Sequence, residues 1–211
     1  AANSWIAEDL KNFGAAPERL QILPMAVDTE TWKYQPPLDQ EPVIGWTGGP
    51  KNLPFVAAVL PALRKVLSQG NCRLTIHCGK NPNWANIDYQ HLPYVAGQES
   101  EVVRGFDIGI CPLPDDPFSC GKSPIKTLQY LASGAAVVAS PYGAVGDILS
   151  DGRTALWAAT EKEWETQLLK LVRDSGLRRK LAEQGRMDLE RVHAAEVVFA
   201  QLISVLQETA A

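Results

Sequence analysis

The sequence predicts an α/β fold in which a parallel sheet carries helices on both faces, formed as one domain over residues 1–211. Three observations lead there. Short apolar runs rich in β-branched residues recur, bounded by glycine and proline. Helical patterns of ten or more residues separate several of them. The runs are apolar throughout rather than alternating, as strands are when both faces of a sheet are covered. A chain of 211 residues, 45% of them hydrophobic, can bury a large core.

The elements follow in order. Ala1 to Phe13 reads as a helix, with Ser4 as its cap and Ile6, Leu10 and Phe13 on one face. Leu20 to Pro24 reads as a short strand, and a polar loop containing prolines covers Asp28 to Pro42. Val43 to Thr47 is a buried strand running into Gly48-Gly49. Asn52 then caps a helix reaching about Leu67, with Pro61 as a kink. Arg73 to Gly79 is the next strand, followed by a short one near His91 to Val95 and a short helix from Gln98 to Arg104. Asp107 to Leu113 is a strand, and Ser123 opens a helix ending at Gly134, its C-terminal glycine. Ala135 to Ala139 and Ala155 to Ala159 are strands on either side of a short helix, Val145 to Leu149. Three helices close the chain, at about Glu161 to Arg173, Leu177 to Val192 and Ala195 to Gln207. The last carries Val198, Leu202, Val205 and Leu206 on one stripe, suited to pack on a further domain or on a second copy, as in a homodimer. The chain opens inside a helix and without methionine, as a piece of a longer protein would.

A net charge of −4 argues against a nucleic-acid surface, so an anionic ligand must be held by local geometry. Cys72, Cys78, Cys111 and Cys120 match no metal-binding spacing and read as free thiols, which fits the cytoplasm. No signal peptide or membrane-length apolar stretch is visible.

The most informative run is Gly121 to Gly134. Ser123 reads as an N-cap and Pro124 as the first helical residue. First-turn amides lack partners inside the helix, and the dipole's positive end lies there, so the end is a ready anion site. Lys122 sits just ahead, Lys126 lies in the first turn, and Gln129 shares the face of Lys126. Ile125, Leu128 and Leu131 or Ala132 make the opposite, buried stripe. A capped surface helix that binds nothing gives the same pattern. Gly48 and Gly49 let a bulky anion approach the backbone, with Lys51 adding charge; a plain strand-to-helix turn reads alike. Asp115 and Asp116 are either paired acceptors for hydroxyl groups or solvated loop acids. His77 reads as a packed histidine, and Trp84 as the tryptophan nearest the expected cleft.

Jointly, Asp107 to Phe118, the run Gly-Lys-Ser-Pro-Ile-Lys, the run Leu-Gln-Tyr-Leu-Ala-Ser-Gly and Val137-Val138-Ala139-Ser140-Pro141 resemble the nucleotide-sugar-binding half of group 1 (family 4) glycosyltransferases. The likeness continues through Asp147-Ile148 and Asp151-Gly152 to Glu163-Trp164. Ile22-Leu23-Pro24 with Val27-Asp28-Thr29 is similar to the family's V-I-P-N-G-V-D segment. The resemblance implies GT-B architecture, with two Rossmann-like domains about a cleft and this chain as the C-terminal one. Residues 195–211 would then be a crossover helix. It implies transfer of a hexose from a nucleotide-sugar to a glycan or other acceptor in polysaccharide biosynthesis. The anomeric configuration would be retained and no metal or cofactor needed. Partners would be the donor and an N-terminal acceptor domain, any peripheral membrane contact coming through that domain.

By the same resemblance, Gly48, Gly49 and Lys51 approach the diphosphate from one side. Gly121, Lys122, Ser123, Pro124, Ile125 and Lys126 meet it at the helix start; Pro124 has no N–H, so the amides of Ile125 and Lys126 serve. Asp115 and Asp116 would face the sugar. Gln129 stands at the second glutamate of the family's E-x7-E motif, which bonds the ribose, and Gly79, Lys80 and Val95 flank the base. Two departures stand out. Gly121 replaces the first glutamate, and Trp46 replaces a common arginine, so no catalytic residue is assigned. The loss at Gly121 leaves open a catalytically silent nucleotide- or glycan-binding module, or a GT-B epimerase or phosphorylase. The isolated chain would bind nucleotide yet transfer little.

Overall fold

A computed structural model describes residues 1–39 and 41–210, the side chains of 209 and 210 excepted. Six strands form one parallel sheet: β1 (Val43–Thr47), β2 (Arg73–His77), β3 (Gln90–Leu92), β4 (Ile108–Cys111), β5 (Ala136–Ala139) and β6 (Ala155–Trp157). Their order across the sheet is β3-β2-β1-β4-β5-β6. The helices are α1 (Ser4–Asn12), α2 (Leu53–Ala58), α3 (Leu60–Gln69), α4 (Glu99–Arg104), α5 (Pro117–Gly121), α6 (Ile125–Ser133), α7 (Glu161–Arg173), α8 (Ser175–Val192) and α9 (Ala195–Ala210). Thus the expected Rossmann-like α/β architecture is observed.

Two cores hold the layers. On one face α2, α3 and α7 bury Val56, Leu63, Val66 and Leu168 against Ile44, Ile76, Ile110 and Val138. On the other, α6 and α8 bury Leu128, Tyr130, Leu131 and Leu189 against Val43, Val137 and Ala155. At the centre, Gly45 and Gly109 sit side by side in register. A Cβ on Gly45 would meet the Phe106 ring at 2.0 Å, and one on Gly109 the Tyr130 ring at 2.5 Å. The missing side chains therefore admit two tilted aromatic rings, their centroids 6.3 Å apart.

Behind the sheet, buried Arg178 donates to the carbonyls of Leu171 and Val172, at the end of α7, and to those of Leu38 and Asp39. Asp107 accepts from the N–H groups of Leu38 and Val43. Together they fasten the segment before β1 to the C-terminal helices. The α7 start is a capping box between Thr160 and Glu163.

Several expectations need correction. Asn3, not Ser4, caps α1, accepting from the Ile6 N–H at 2.8 Å; Ser4 instead directs its N–H and hydroxyl at the Asp147 carboxylate. Leu20 to Pro24 is not a strand, because no strand lies alongside it; nearby, only Val27 forms an isolated bridge, with Ala194. The helix after Asn52 is interrupted at Val59 (φ −101°, ψ 3°), two residues before Pro61, so α2 and α3 are separate. Val145 to Leu149 gives way to a 3-10 turn over Gly143–Asp147. The thiols are free as expected, but Cys72 and Cys111 are half-buried.

Candidate functional site

Because β1 and β4 are neighbours whose outgoing chains turn to opposite faces, a crevice opens beyond their carboxyl ends. It has a volume of about 230 Å³ and is walled by Trp46 and Thr47, by Asn52 and Phe55, by Ile110 to Leu113 and by Lys122 to Lys126. The end of β1 is fixed twice. The Thr47 N–H donates to the Tyr130 hydroxyl at 3.0 Å, and its Oγ1 lies 2.9 Å from Nδ1 of His77. A Cβ on Gly48 would strike the Trp46 indole at 2.5 Å, whereas nothing lies within 4 Å of one on Gly49. Gly48 is thus a packing glycine and Gly49 leaves open backbone, though neither is among the residues that line the crevice.

The start of α6 differs from expectation. Ser123 is not the cap. Pro124 takes that position at φ −82° and ψ 59°, with no side-chain bond to the helix. Its N–H is absent and its ψ lies outside the helical range, so the helix begins one residue late. The Ile125 N–H closes a tight turn onto the Ser123 carbonyl at 2.9 Å, and the Thr127 N–H is taken by the Pro124 carbonyl at 3.0 Å. The Ile125 amide is therefore spent. Among the described residues the Lys126 N–H keeps no protein partner, so one first-turn donor remains where two were expected. Ser123 is drawn toward α1, its Oγ 3.5 Å from the Asn3 amide nitrogen.

Two ammonium groups belong to this crevice. Lys122 donates to Asn52 Oδ1 at 2.9 Å and lies over the rings of Phe55 (4.8 Å) and Phe118 (4.9 Å). Lys126 is half-buried; burial holds its pKa below the ordinary lysine value, and the Glu99 carboxylate partly offsets this. Gln129, one turn on, buries an Oε1 that has no partner among the described residues. His77 is packed, as expected. Burial and then the Lys126 charge lower its pKa, and its ring stacks on Tyr94 at 5.7 Å. Tyr94 in turn donates to Glu99, and that bond lowers the pKa of the carboxyl.

Other expected residues stand apart. Lys51 is exposed on a 3-10 turn (Pro50–Asn52), outside the crevice wall. Gly79, Lys80 and Val95 are exposed beyond β2 and β3, also outside it. Asp115 and Asp116 separate: both oxygens of Asp116 cap α5, on the Ser119 N–H (2.8 Å) and hydroxyl (3.1 Å), while Asp115 has, among the described residues, only a weak 3.9 Å contact from Cys120 Sγ. Gly121 lies under α1, where a Cβ would touch Trp5 at 3.4 Å and Ile6 at 3.5 Å. Trp84 packs beside Tyr89 away from the crevice. Sequence reasoning missed the anchor from Asn52 to Lys122 and the Phe55–Phe118 pair. Asn52 and Phe55 lie about seventy residues from Lys122 and give no local signal, whereas Phe118, four residues before it, could have been noticed.

Among the described residues no group of three or more histidine, cysteine, aspartate or glutamate side chains is placed to hold a metal ion, and no helix is long and apolar enough to cross a membrane. No curated protein matches the sequence. Solved structures do match its fold. HepE from Anabaena, crystallised with UDP and glucose, superposes with a TM-score of 0.78 at 12% identity, over 99% of this chain and 62% of its own. Sucrose-phosphate synthase from Thermosynechococcus elongatus gives 0.77 at 13% identity, over 99% of this chain and 57% of its own. The C-terminal domain of LpcC, a group 1 glycosyl transferase from Francisella tularensis, gives 0.62 at 18% identity, over 81% of this chain and 100% of that one. The chain thus spans 62% and 57% of the first two proteins. The family model of the group 1 glycosyl transferases matches residues 41–174, a stretch running from β1 to the end of α7 and including every wall of the crevice. The Rossmann-like sheet, the crevice at its switch point and that match together place the chain in the group 1 glycosyl transferase family.

Proposed function

We propose that the crevice holds the diphosphate of a nucleotide-sugar, and that residues 1–211 form the C-terminal, donor-binding domain of a glycosyltransferase. The observation that carries this reading is the convergence of Lys122, Lys126 and the unspent Lys126 N–H on one crevice of a chain whose net charge is −4. In the reaction the bond from the anomeric carbon to the diphosphate oxygen breaks, and its electron pair leaves with the nucleoside diphosphate. The acceptor hydroxyl oxygen bonds to that carbon and passes its proton to the departing diphosphate oxygen. Negative charge grows on the leaving group, so donors already aimed at it favour the transition state over the ground state. Lys122, pre-positioned by Asn52, and Lys126, partly desolvated, act there at low reorganisation cost. Outside the wall, open backbone at Gly49 leaves the phosphates room to approach, and Lys51 adds charge at the rim. The orphaned Gln129 Oε1 is suited to accept from a ribose hydroxyl, and Gly79, Lys80 and Val95 lie on the side where the base extends.

The transferred group is a hexose, retention is the stereochemical outcome, and the chain's own cations take the place of a metal. The acceptor is a glycan or similar polyol held by a domain outside this chain, in polysaccharide assembly in the cytoplasm, consistent with four free thiols. The isolated chain then binds nucleotide without turnover. Gly121 favours a second reading, a silent nucleotide-binding module, since a glycine stands where the family motif has its first glutamate. Calorimetric titration with UDP and GDP tests the site. Binding of one of them, weakened at least tenfold by Lys126→Ala and by Lys122→Ala, is expected; unchanged affinity in both variants would reject it. Turnover assays on the longest available form of the protein separate enzyme from silent module.

A further inference from the structure

Thr47 and His77 are register partners at the ends of β1 and β2, so their side chains stand on one face of the sheet. Their heavy atoms are held from several sides. The Thr47 N–H donates to the Tyr130 hydroxyl at 3.0 Å, and the Gly48 N–H to the His77 carbonyl at 3.1 Å. Thr47 Oγ1 lies 2.9 Å from His77 Nδ1. Thr47 belongs to the crevice wall, together with Lys122 and Lys126, while being only 2% exposed. A stacking surface would need more open area than that; a hydroxyl donor needs a line to a single oxygen.

With these atoms fixed, the open variable is where two hydrogens sit. Burial, the Lys126 charge on α6 and His91 on β3 all favour a neutral His77 ring, and Glu99 on α4 opposes them. A neutral imidazole carries one N–H, on Nδ1 or on Nε2. If Nε2 holds it, Nδ1 accepts from the Thr47 hydroxyl and the Nε2–H is left over. That nitrogen is buried in a side chain without exposure, and it has no partner among the described residues. If Nδ1 holds it, the ring donates to Thr47 Oγ1, and Nε2 keeps a bare lone pair in the ring that stacks on Tyr94. The hydrogen left over is then that of the Thr47 hydroxyl, which has no other acceptor in reach among the described residues. Each arrangement strands one donor. Only the second strands it on the wall of a ligand space, and a closed-in N–H without an acceptor is the rarer and costlier defect.

We infer that His77, protonated on Nδ1, is a positioning residue that turns the Thr47 hydroxyl outward as a further donor to a diphosphate oxygen in the crevice. The inference rests on the reading that the crevice holds a diphosphate. Neither residue is one to which the family likeness assigns a role. Lys122 and Lys126 bring charge; Thr47 brings a neutral donor of fixed direction at the end of a strand. That direction is set before a ligand arrives, so little ordering remains to be done on binding.

Two measurements test it. Long-range proton–nitrogen correlation on the histidine-labelled, unliganded chain at neutral pH reads the tautomer, with the His77 signals assigned by their loss in His77→Asn. The proton is expected on Nδ1. Calorimetry with UDP, GDP and inorganic pyrophosphate reads the donor. Thr47→Val, which keeps the shape and loses the hydroxyl, should weaken those that bind about fivefold or more at an unchanged or raised melting temperature; Thr47→Ser should stay within about twofold. His77→Leu should weaken binding about threefold, and His77→Asn, whose amide can donate near the Nδ1 position, should recover most of that loss. A proton found on Nε2, unchanged affinity in Thr47→Val, Thr47→Ser as weak as Thr47→Val, or His77→Asn as weak as His77→Leu overturns this inference and leaves the diphosphate reading standing. If the unaltered chain binds none of the three ligands, both fall together.

Discussion

The Lys122 ammonium donates to Asn52 Oδ1 at 2.9 Å, and so joins the chain ahead of α6 to the turn leading into α2. A long, exposed lysine would lose side-chain entropy on meeting a ligand; this one has lost part of it already. Asn52→Ala should therefore weaken nucleoside-diphosphate binding three- to tenfold, roughly 0.7–1.4 kcal/mol. The melting temperature should stay nearly constant. Calorimetry and a thermal scan on the same sample check both halves.

Gly48 and Gly49 should behave differently although they adjoin. Gly48→Ala drives a methyl into the Trp46 indole and should cost about 1–3 kcal/mol of stability. Gly49→Ala meets empty space, so stability should hold while diphosphate affinity drops. Chemical denaturation paired with UDP or GDP titration separates the two outcomes.

The half-buried Lys126 has a lowered pKa because its ammonium is desolvated. An anionic ligand restores a partner to the charged form, so binding takes up protons. Affinity should fall as pH rises toward 10.5, beginning below that value, and fall less in Lys126→Arg, which stays charged. Lys126→Met should stabilise the unliganded chain by roughly 0.5 kcal/mol and weaken binding. A gain in stability without loss of affinity would remove Lys126 from the site.

His77 and His193 both have pKa values below 6.5 through burial. The unfolded chain therefore takes up protons first as the solution is acidified. Stability contributed by these neutral rings is complete above pH 6.5 and is lost as pH falls through their folded-state values. Urea midpoints measured from pH 7.5 to 5 should decline, and less steeply in His77→Gln.

Arg178→Ala should cost about 3–5 kcal/mol, because four carbonyls, the buried ones of Leu171 and Val172 and the part-buried ones of Leu38 and Asp39, lose their donor together. Circular dichroism during urea unfolding measures it.

Strand positions were legible in the sequence because each run, such as Val43 to Thr47, carries its own apolar signal. The helix of Leu128 and Leu131, with Gly134 as its left-handed end at φ +92°, was legible for the same local reason. What escaped depended on partners distant in sequence. Leu20 to Pro24 has strand composition but no strand beside it. Ser123 has the chemistry of a cap, yet the backbone of Pro124 decides where the helix starts. Ser4 is a good cap by type, but Asp147 captures it and leaves the role to Asn3. Asp115 and Asp116 are indistinguishable as letters; one short helix, α5, consumes the second and frees the first.

Trp46, packed on Gly48 in the crevice wall and only 5% exposed, gives the site a built-in optical reporter. A bound diphosphate alters the field and collisional surroundings of that indole without any added dye. Of the six tryptophans, Trp46 alone lines this space, so the emission difference between the chain and Trp46→Phe isolates occupancy of the crevice from every other event in the molecule.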